Sequence, residues 1–129
     1  MSDTKLNTGI ATLGAVVIDC ADPLALAEFY SKVSGWPVGA GSEPSWADLD
    51  NPAGGVAMAF QRVDGDFNAP VWPGAEHPQQ FHLDFFVADL DEGERRVLEL
   101  GAMKHEFQPG KSFRVFLDPA GHPFCLCKE

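Results

Sequence analysis

The chain has 129 residues, of which 45% are apolar and 22% charged, and 19 acidic against 9 basic residues give it a formal net charge of −10 at pH 7. This composition predicts one folded domain, residues 1–129, and excludes disordered, collagen-like and coiled-coil chains. The acidic excess disfavours nucleic acids and anionic membrane surfaces as partners, because both attract clustered Lys and Arg side chains.

The remaining sequence features predict a cytoplasmic protein. No apolar run is long enough to span a bilayer, and the first residues lack the charged start, apolar middle and cleavage site of a signal peptide. The three cysteines are an odd number, and Cys125 and Cys127 are too close together to indicate a disulfide framework. Reduced thiols are therefore expected.

The first half of the chain predicts one helix and three strands, the strands at residues 14–20, 46–49 and 56–63. Asp22 followed by Pro23 predicts the helix N-cap and the first helical position. Apolar side chains then recur at helical spacing as far as Val33, and Gly35 marks the end. Residues 64–79 contain three prolines and two glycines and predict a linker, in which Trp72 and His77 are unusual residues for a passive tether.

The second half repeats this order. It predicts strands at residues 80–87, 102–107, 113–117 and 123–127. Asp89 is the predicted helix N-cap, and Glu92 lies three residues later, as in a capping box. The turn signal Asp118-Pro119-Ala120-Gly121 precedes the last strand.

A constant offset relates the two halves. Asp22 and Asp89 are 67 residues apart, and so are Pro52-Ala53-Gly54 and Pro119-Ala120-Gly121. We interpret the chain as an α+β protein of two tandem β-α-β-β-β modules. Module one spans about residues 10–63 and module two about residues 80–129.

The capped helices, the paired modules and the turns before the last strands resemble the vicinal oxygen chelate superfamily. The segments WPGAEHPQQFHLDFFVADLD and FRVFLDPAGHPFCL are similar to the short bacterial glyoxalase-like branch. The superfamily includes glyoxalase I, bleomycin-resistance proteins and extradiol dioxygenases. The resemblance implies that the two modules curve their sheets around one cleft.

The resemblance also implies positions for a metal. Metal-dependent members take two ligands from each module, usually a His at the start of the first strand and a Glu four residues after the turn glycine. In this chain the first-strand positions are Ala15 and His82, and the last-strand positions are Met58 and Cys125. Only His82 is the customary residue, so we expect no metal cofactor, with a divalent metal at His82 and Cys125 as the alternative.

Two further chemistries involve His82. Asp84 lies two residues later on the same strand face, so the two residues are the predicted catalytic acid–base pair, although we expect their side chains to be too far apart for a direct bond. Cys125 and Cys127 share a face of the last strand and could join His82 and Met58 in a soft site for Cu(I) or Zn. The ordinary interpretation of this C-x-C pattern is two small buried apolar residues.

The predicted ligand-binding residues are those we expect to line the cleft, since pockets for small molecules are mainly aromatic with a few polar groups. They are Trp46, Met58, Phe60, Trp72, His82, Phe113 and Cys125.

The resulting expectation is a homodimeric small-molecule-binding protein that sequesters an aromatic or cationic compound, as bleomycin-resistance relatives do. The alternative is a glyoxalase-like lyase, isomerase or dioxygenase that uses a His82-centred metal or acid–base chemistry. A third hypothesis is an interaction module whose cleft is filled by its own side chains.

Overall fold

A computed structural model describes Gly9 and residues 13–79 and 82–129. Within these residues neither helix is long and apolar enough to cross a membrane. The elements in chain order are β1 (Ala15–Cys20), α1 (Pro23–Ser34), β2 (Trp46–Leu49), β3 (Ala57–Arg62), β4 (Leu83–Val87), α2 (Leu90–Glu99), β5 (Met103–Lys104), β6 (Phe113–Leu117) and β7 (Pro123–Lys128).

Helix α1 begins and ends where the sequence predicts. The Asp22 carboxylate accepts a hydrogen bond from the Ala25 amide at 3.2 Å, and Pro23 occupies the first turn, where its missing N–H is not needed. Gly35 ends the helix with φ at 79°, and its amide donates to the Ser31 carbonyl. Of the predicted apolar face, Leu26, Phe29 and Tyr30 are buried and Val33 is partly buried against the core, and Ala27 is buried with them.

Helix α2 is also capped as predicted, because Asp89 accepts from the Glu92 amide at 3.2 Å. The predicted capping box is not completed, since the Glu92 carboxylate pairs with Arg95 at 2.6 Å instead of turning back to the cap. Gly93 packs the helix against the sheet. A Cβ at this position would lie 3.2 Å from Leu126 and 3.3 Å from Val87, so the missing side chain permits the close approach.

The strands form two sheets of the same plan, in the orders β1-β3-β2 and β4-β7-β6-β5. In each sheet the first strand of the module is parallel to the last strand, and the other neighbours are antiparallel. The predicted α+β fold is confirmed. The strand predicted at residues 102–107 is only two residues long, and the start of the strand predicted from residue 80 lies outside the described residues.

Module one departs from the predicted β-α-β-β-β order. After α1 its next segment makes an isolated antiparallel bridge between Val38 and Leu49 rather than a strand. Gly39 continues this contact by donating to the Asp48 carbonyl at 2.8 Å, and the Asp48 carboxylate lies where a Gly39 side chain would be. A second isolated bridge joins Glu43 and Trp46, so module one has three strands and two isolated bridges among the described residues.

One hydrophobic core joins the two modules. The Tyr30 ring of α1 stacks on Phe60 of module one and on Phe85 of module two, with centroids 5.8 and 6.0 Å away. Its hydroxyl donates to the buried Asp118 carboxylate at 2.6 Å. Because these aromatic and polar contacts cross between the halves, the two sheets lie at a fixed position relative to each other.

Candidate functional site

The open face of the second sheet forms the floor of a cavity of about 310 Å³. Side chains alternate along the strands, so Phe85, Phe124 and Leu126 pack into the core while their neighbours point the other way. The segment between the modules and the loop before β6 cover this floor. The lining residues are Asp84, Phe113, Val115, Cys125 and Cys127 from the strands, His82 beside them, Pro123, and Trp72, Gln79 and Pro109 from the cover.

A second cavity of about 510 Å³ lies between β1 and the beginning of β4, again covered by residues of the linker. Its walls include the acidic residues Asp19 and Glu76 and the histidines His77 and His122. His82, Gln79 and Pro123 line both cavities, so the two spaces adjoin. These cavities contradict the hypothesis of a cleft filled by its own side chains.

His82, Asp84 and Cys125 converge on the smaller cavity, and their nearest donor atoms all lie within 4.8 Å of one another. His82 Nε2 is 3.1 Å from Asp84 Oδ1, so the expectation that these side chains are too far apart was wrong. His82 immediately precedes β4, where its side chain turns toward Asp84. The imidazole and the carboxylate are partly exposed, whereas Cys125 is buried.

The thiols of the site are protonated at neutral pH. Burial, and then the negative charge of Asp84, raise the pKa of Cys125 to about 12. The same two causes raise the pKa of Cys127. Neither thiol is therefore an activated nucleophile, because nucleophilic cysteines need a lowered pKa.

Two predicted ligand-binding residues, Met58 and Phe60, are not on the cleft. Both are buried in the core, at 7% and 0% exposure. The assignment of Met58 from the offset of 67 is wrong by one residue. In the strand pairing, Trp46 lies opposite Gln61, and Phe113, the counterpart of Trp46 67 residues later, lies opposite Cys127. Gln61 and Cys127 are 66 residues apart, so the offset between the last strands of the two modules is 66.

Ala59, rather than Met58, is therefore the counterpart of Cys125 in module one. It pairs with Val17 in the same way as Cys125 pairs with Asp84. Ala59 has no donor atom, and neither has Ala15.

The structure separates the two tryptophans proposed as ligand-binding. Trp72 lines the smaller cavity together with Phe113, and its ring is also 5.5 Å from the His105 ring and 5.3 Å from the Phe107 ring. Trp46 lines neither cavity, and its indole N–H faces Asp48 Oδ2 at 3.4 Å. Of the predicted site residues, five therefore line one cavity: Trp72, His82, Asp84, Phe113 and Cys125.

Sequence reasoning missed Gln79 and His122. The Gln79 side-chain oxygen is buried, lies between the two cavities and has no hydrogen-bond partner among the described residues. His122 Nε2 lies 2.6 Å from the Asp19 carbonyl oxygen and connects the turn before β7 to β1. The GH pair in the predicted turn was a usable signal for His122, whereas nothing in the pattern around Gln79 distinguishes it from a surface residue.

Comparison with known proteins identifies the fold family. The family model described as Glyoxalase-like domain matches residues 15–127, so the chain belongs to this family, consistent with the vicinal oxygen chelate superfamily. A sequence comparison with curated proteins finds no significant match.

Several solved structures share the fold. A glyoxalase/bleomycin resistance protein/dioxygenase family enzyme from Burkholderia phytofirmans PsJN is 19% identical, with a TM-score of 0.68 over 92% of this chain and 98% of its own. A possible glyoxalase from Bacillus cereus is 15% identical, with a TM-score of 0.64 over 92% and 99%. The oxidase ChaP-H2 is 19% identical, with a TM-score of 0.62 over 94% and 95%.

The residues present do not fit the four-ligand metal centre that the resemblance implies. Its two positions in module one are Ala15 and, after correction of the register, Ala59, and both are alanines. A centre with two ligands from each module therefore cannot form. The donors that remain all belong to module two.

Proposed function

We propose that this glyoxalase-like protein binds a small organic molecule in the two adjoining cavities. The observation that carries the proposal is the pair of cavities themselves: one of about 510 Å³ between β1 and the beginning of β4, and one of about 310 Å³ on the second sheet. Pockets of this size are typical of sites for small molecules and cofactors. The missing four-ligand centre favours retention of the molecule, as in resistance by sequestration.

The lining favours an aromatic, cationic ligand. Trp72 and Phe113 offer flat apolar surfaces, and Asp19, Glu76 and Asp84 supply carboxylates. Among the described residues, no lysine or arginine lines either cavity. The Gln79 side-chain oxygen, which has no partner among the described residues, is free to accept a hydrogen bond from a ligand, so an ammonium or amino group on a planar ring matches the site.

Thermal-shift measurements with planar aromatic amines and their carboxylate analogues test this proposal. A ligand that binds only the folded state stabilises it, by about 2.7 kcal/mol at 100 times its Kd. We expect amines to raise the melting temperature and carboxylates to leave it unchanged. Trp72→Ala should reduce the shift, whereas Trp46→Ala, at a tryptophan outside both cavities, should retain it. Equal shifts with amines and carboxylates, or an unchanged shift in Trp72→Ala, would contradict the proposal.

A second candidate function is metal-free acid–base catalysis on the bound molecule. The observation that favours it is the 3.1 Å contact between His82 Nε2 and Asp84 Oδ1 in the smaller cavity, where His82 also borders the larger one. Such a carboxylate orients an imidazole for proton transfer to or from a bound molecule. Mass spectrometry of bound ligands after incubation tests this candidate. Asp84→Asn should slow turnover by roughly 10²- to 10⁴-fold, measured at ligand concentrations that saturate the variant; absence of any conversion by the native protein excludes it.

A further inference from the structure

We infer that module two alone forms a binding site for one Zn²⁺-like ion, with His82, Asp84 and Cys125 as its three protein ligands. The site differs from the four-ligand centre of the superfamily in lacking any ligand from module one. Its proposed ligands are an imidazole nitrogen, a carboxylate oxygen and a thiolate sulfur. The inference does not depend on the organic ligand proposed above.

The distances among the donors are those of a site that needs little rearrangement. Ligand atoms about 2.0–2.3 Å from one tetrahedral ion lie roughly 3.3–3.6 Å from each other. His82 Nε2 and Asp84 Oδ1 are already 3.1 Å apart, and the Cys125 sulfur completes a group whose members lie within 4.8 Å. Small rotations of these side chains are enough to surround an ion.

The sheet fixes two of the three donors, and the third lies directly before one of its strands. Asp84 and Cys125 are direct partners in the parallel ladder between β4 and β7, so their side chains project side by side from the same face. His82 stands two residues before Asp84 and points to the same side. Ligands carried on paired strands are held more rigidly than ligands on loops.

The donor set selects the kind of ion. Thiolate sulfur favours thiophilic ions over Mg²⁺ and Ca²⁺, which prefer oxygen, and the combination with imidazole and carboxylate matches Zn²⁺. The Cys125 thiol loses one proton to the solvent when it coordinates the ion. Three protein ligands leave a fourth position that faces the smaller cavity, where water or a donor atom of a ligand can bind.

The internal repeat shows that this cluster is particular to module two. The counterparts of His82, Asp84 and Cys125 in module one are Ala15, Val17 and Ala59. The same three places on the same kind of sheet therefore carry three metal-binding side chains in one module and none in the other.

Titration of the metal-free, reduced protein with ZnCl₂ and CoCl₂ tests the inference. We expect one Zn²⁺ per chain by calorimetry, and a Co²⁺ complex with an absorption band from thiolate-to-metal charge transfer. Cys125→Ser should abolish this band and weaken Zn²⁺ binding at least about tenfold. Cys127→Ser, two residues along the same strand, should change neither. His82→Ala, at a partly exposed position, should also weaken Zn²⁺ binding.

Three results would overturn the inference: no Zn²⁺ binding by the native protein, a Co²⁺ complex without the thiolate band, or a band that survives in Cys125→Ser but is lost in Cys127→Ser. If Cys125→Ser does not fold, the native protein and Cys127→Ser still decide the question through the band. Thermal shifts with aromatic amines in the absence of metal report on the organic ligand separately. Failure of one proposal therefore leaves the other standing.

Discussion

The polar contact between Tyr30 and Asp118 lies at the centre of the aromatic core. One carboxylate oxygen of Asp118 accepts the Tyr30 hydroxyl at 2.6 Å, and the other accepts the amides of Ala120 and His122 at 2.8 and 3.0 Å. Burial, together with the adjacent Asp118, raises the pKa of Tyr30 well above its usual value. A buried carboxylate is tolerated here because each of its oxygens has a donor.

Tyr30→Phe should lower the free energy of unfolding at pH 7 by about 1–3 kcal/mol, because it leaves one Asp118 oxygen buried without a donor. Above pH 10 the difference from the native protein should narrow. Tyr30 ionises in the unfolded chain first, so the native protein loses about 1.4 kcal/mol of stability per pH unit from pH 10 up to the higher folded-state pKa, and the variant does not. Urea denaturation at pH 7, 10 and 11 measures both effects; a gap that stays constant with pH would contradict this account.

For single residues, the sequence predicted which side chains share a face of the sheet, but it did not predict the contacts between them. The period of two along a strand placed His82 and Asp84 on one face, but could not give their rotamers, and the direct contact at 3.1 Å was not expected. Gln79 was not predicted, because its side-chain oxygen is buried by the folding of the linker, residues 64–79, and the residues next to it in the sequence do not indicate this burial.

Among the elements, the turns before the last strands explain why the repeat misplaces Met58. In module one the turn contains two successive glycines with positive φ, Gly54 at 76° and Gly55 at 84°, whereas the turn of module two has Gly121 alone. Because of the additional left-handed residue, Gly55, β3 starts three residues after Gly54, whereas β7 starts two residues after Gly121. Because side chains alternate, this shift turns Met58 into the core cluster and places Ala59, which is also buried, on the opposite face of the strand.

Gly55→Ala should destabilise the protein by about 1–2 kcal/mol, since a side chain in the left-handed region is strained even though there is space around it. Gly41→Ala is the matched control, because Gly41 also has no neighbouring atom within 4 Å but does not have positive φ. Thermal or urea unfolding of both variants measures the difference. Equal stabilities of the two variants would show that the double glycine is not needed for the turn.

The elements also show what the sequence could predict. Helix ends followed from Asp22, Gly35 and Asp89, because caps act locally. The missing strand of module one and the short β5 did not follow, since strand length depends on partners that are distant in the chain.

For the whole molecule, the duplication and the family followed from the repeat, whereas the cavities depend on a segment that looked like a linker. Residues of this segment cover both cavities, and Phe67 packs its ring 5.4 Å from His122. The cavities arise from how two sheets and their connection pack together, which no local periodicity describes. The presence of Trp72 and His77 was the one signal that the linker does more than connect.

The net charge of −10 should make stability depend on salt. At pH 7 the like charges repel each other more in the compact state than in the unfolded chain, so screening favours folding. Raising NaCl from about 20 to 500 mM, where the Debye length falls well below 10 Å, should raise the melting temperature by a few degrees. The same change near the sequence pI of about 4.6 should have less effect. A melting temperature that falls with salt at pH 7 would indicate that attractive ion pairs dominate instead.

The larger cavity has walls from both halves of the polypeptide and from the stretch that connects them: β1 and α1 of the first half, and the start of β4 and the beginning of β7 in the second. A small molecule bound there as proposed would contact both halves and the linker together, and would so link them non-covalently. Mutations that loosen the packing between the two halves should therefore weaken binding of the proposed ligand, even when they lie outside the cavity walls.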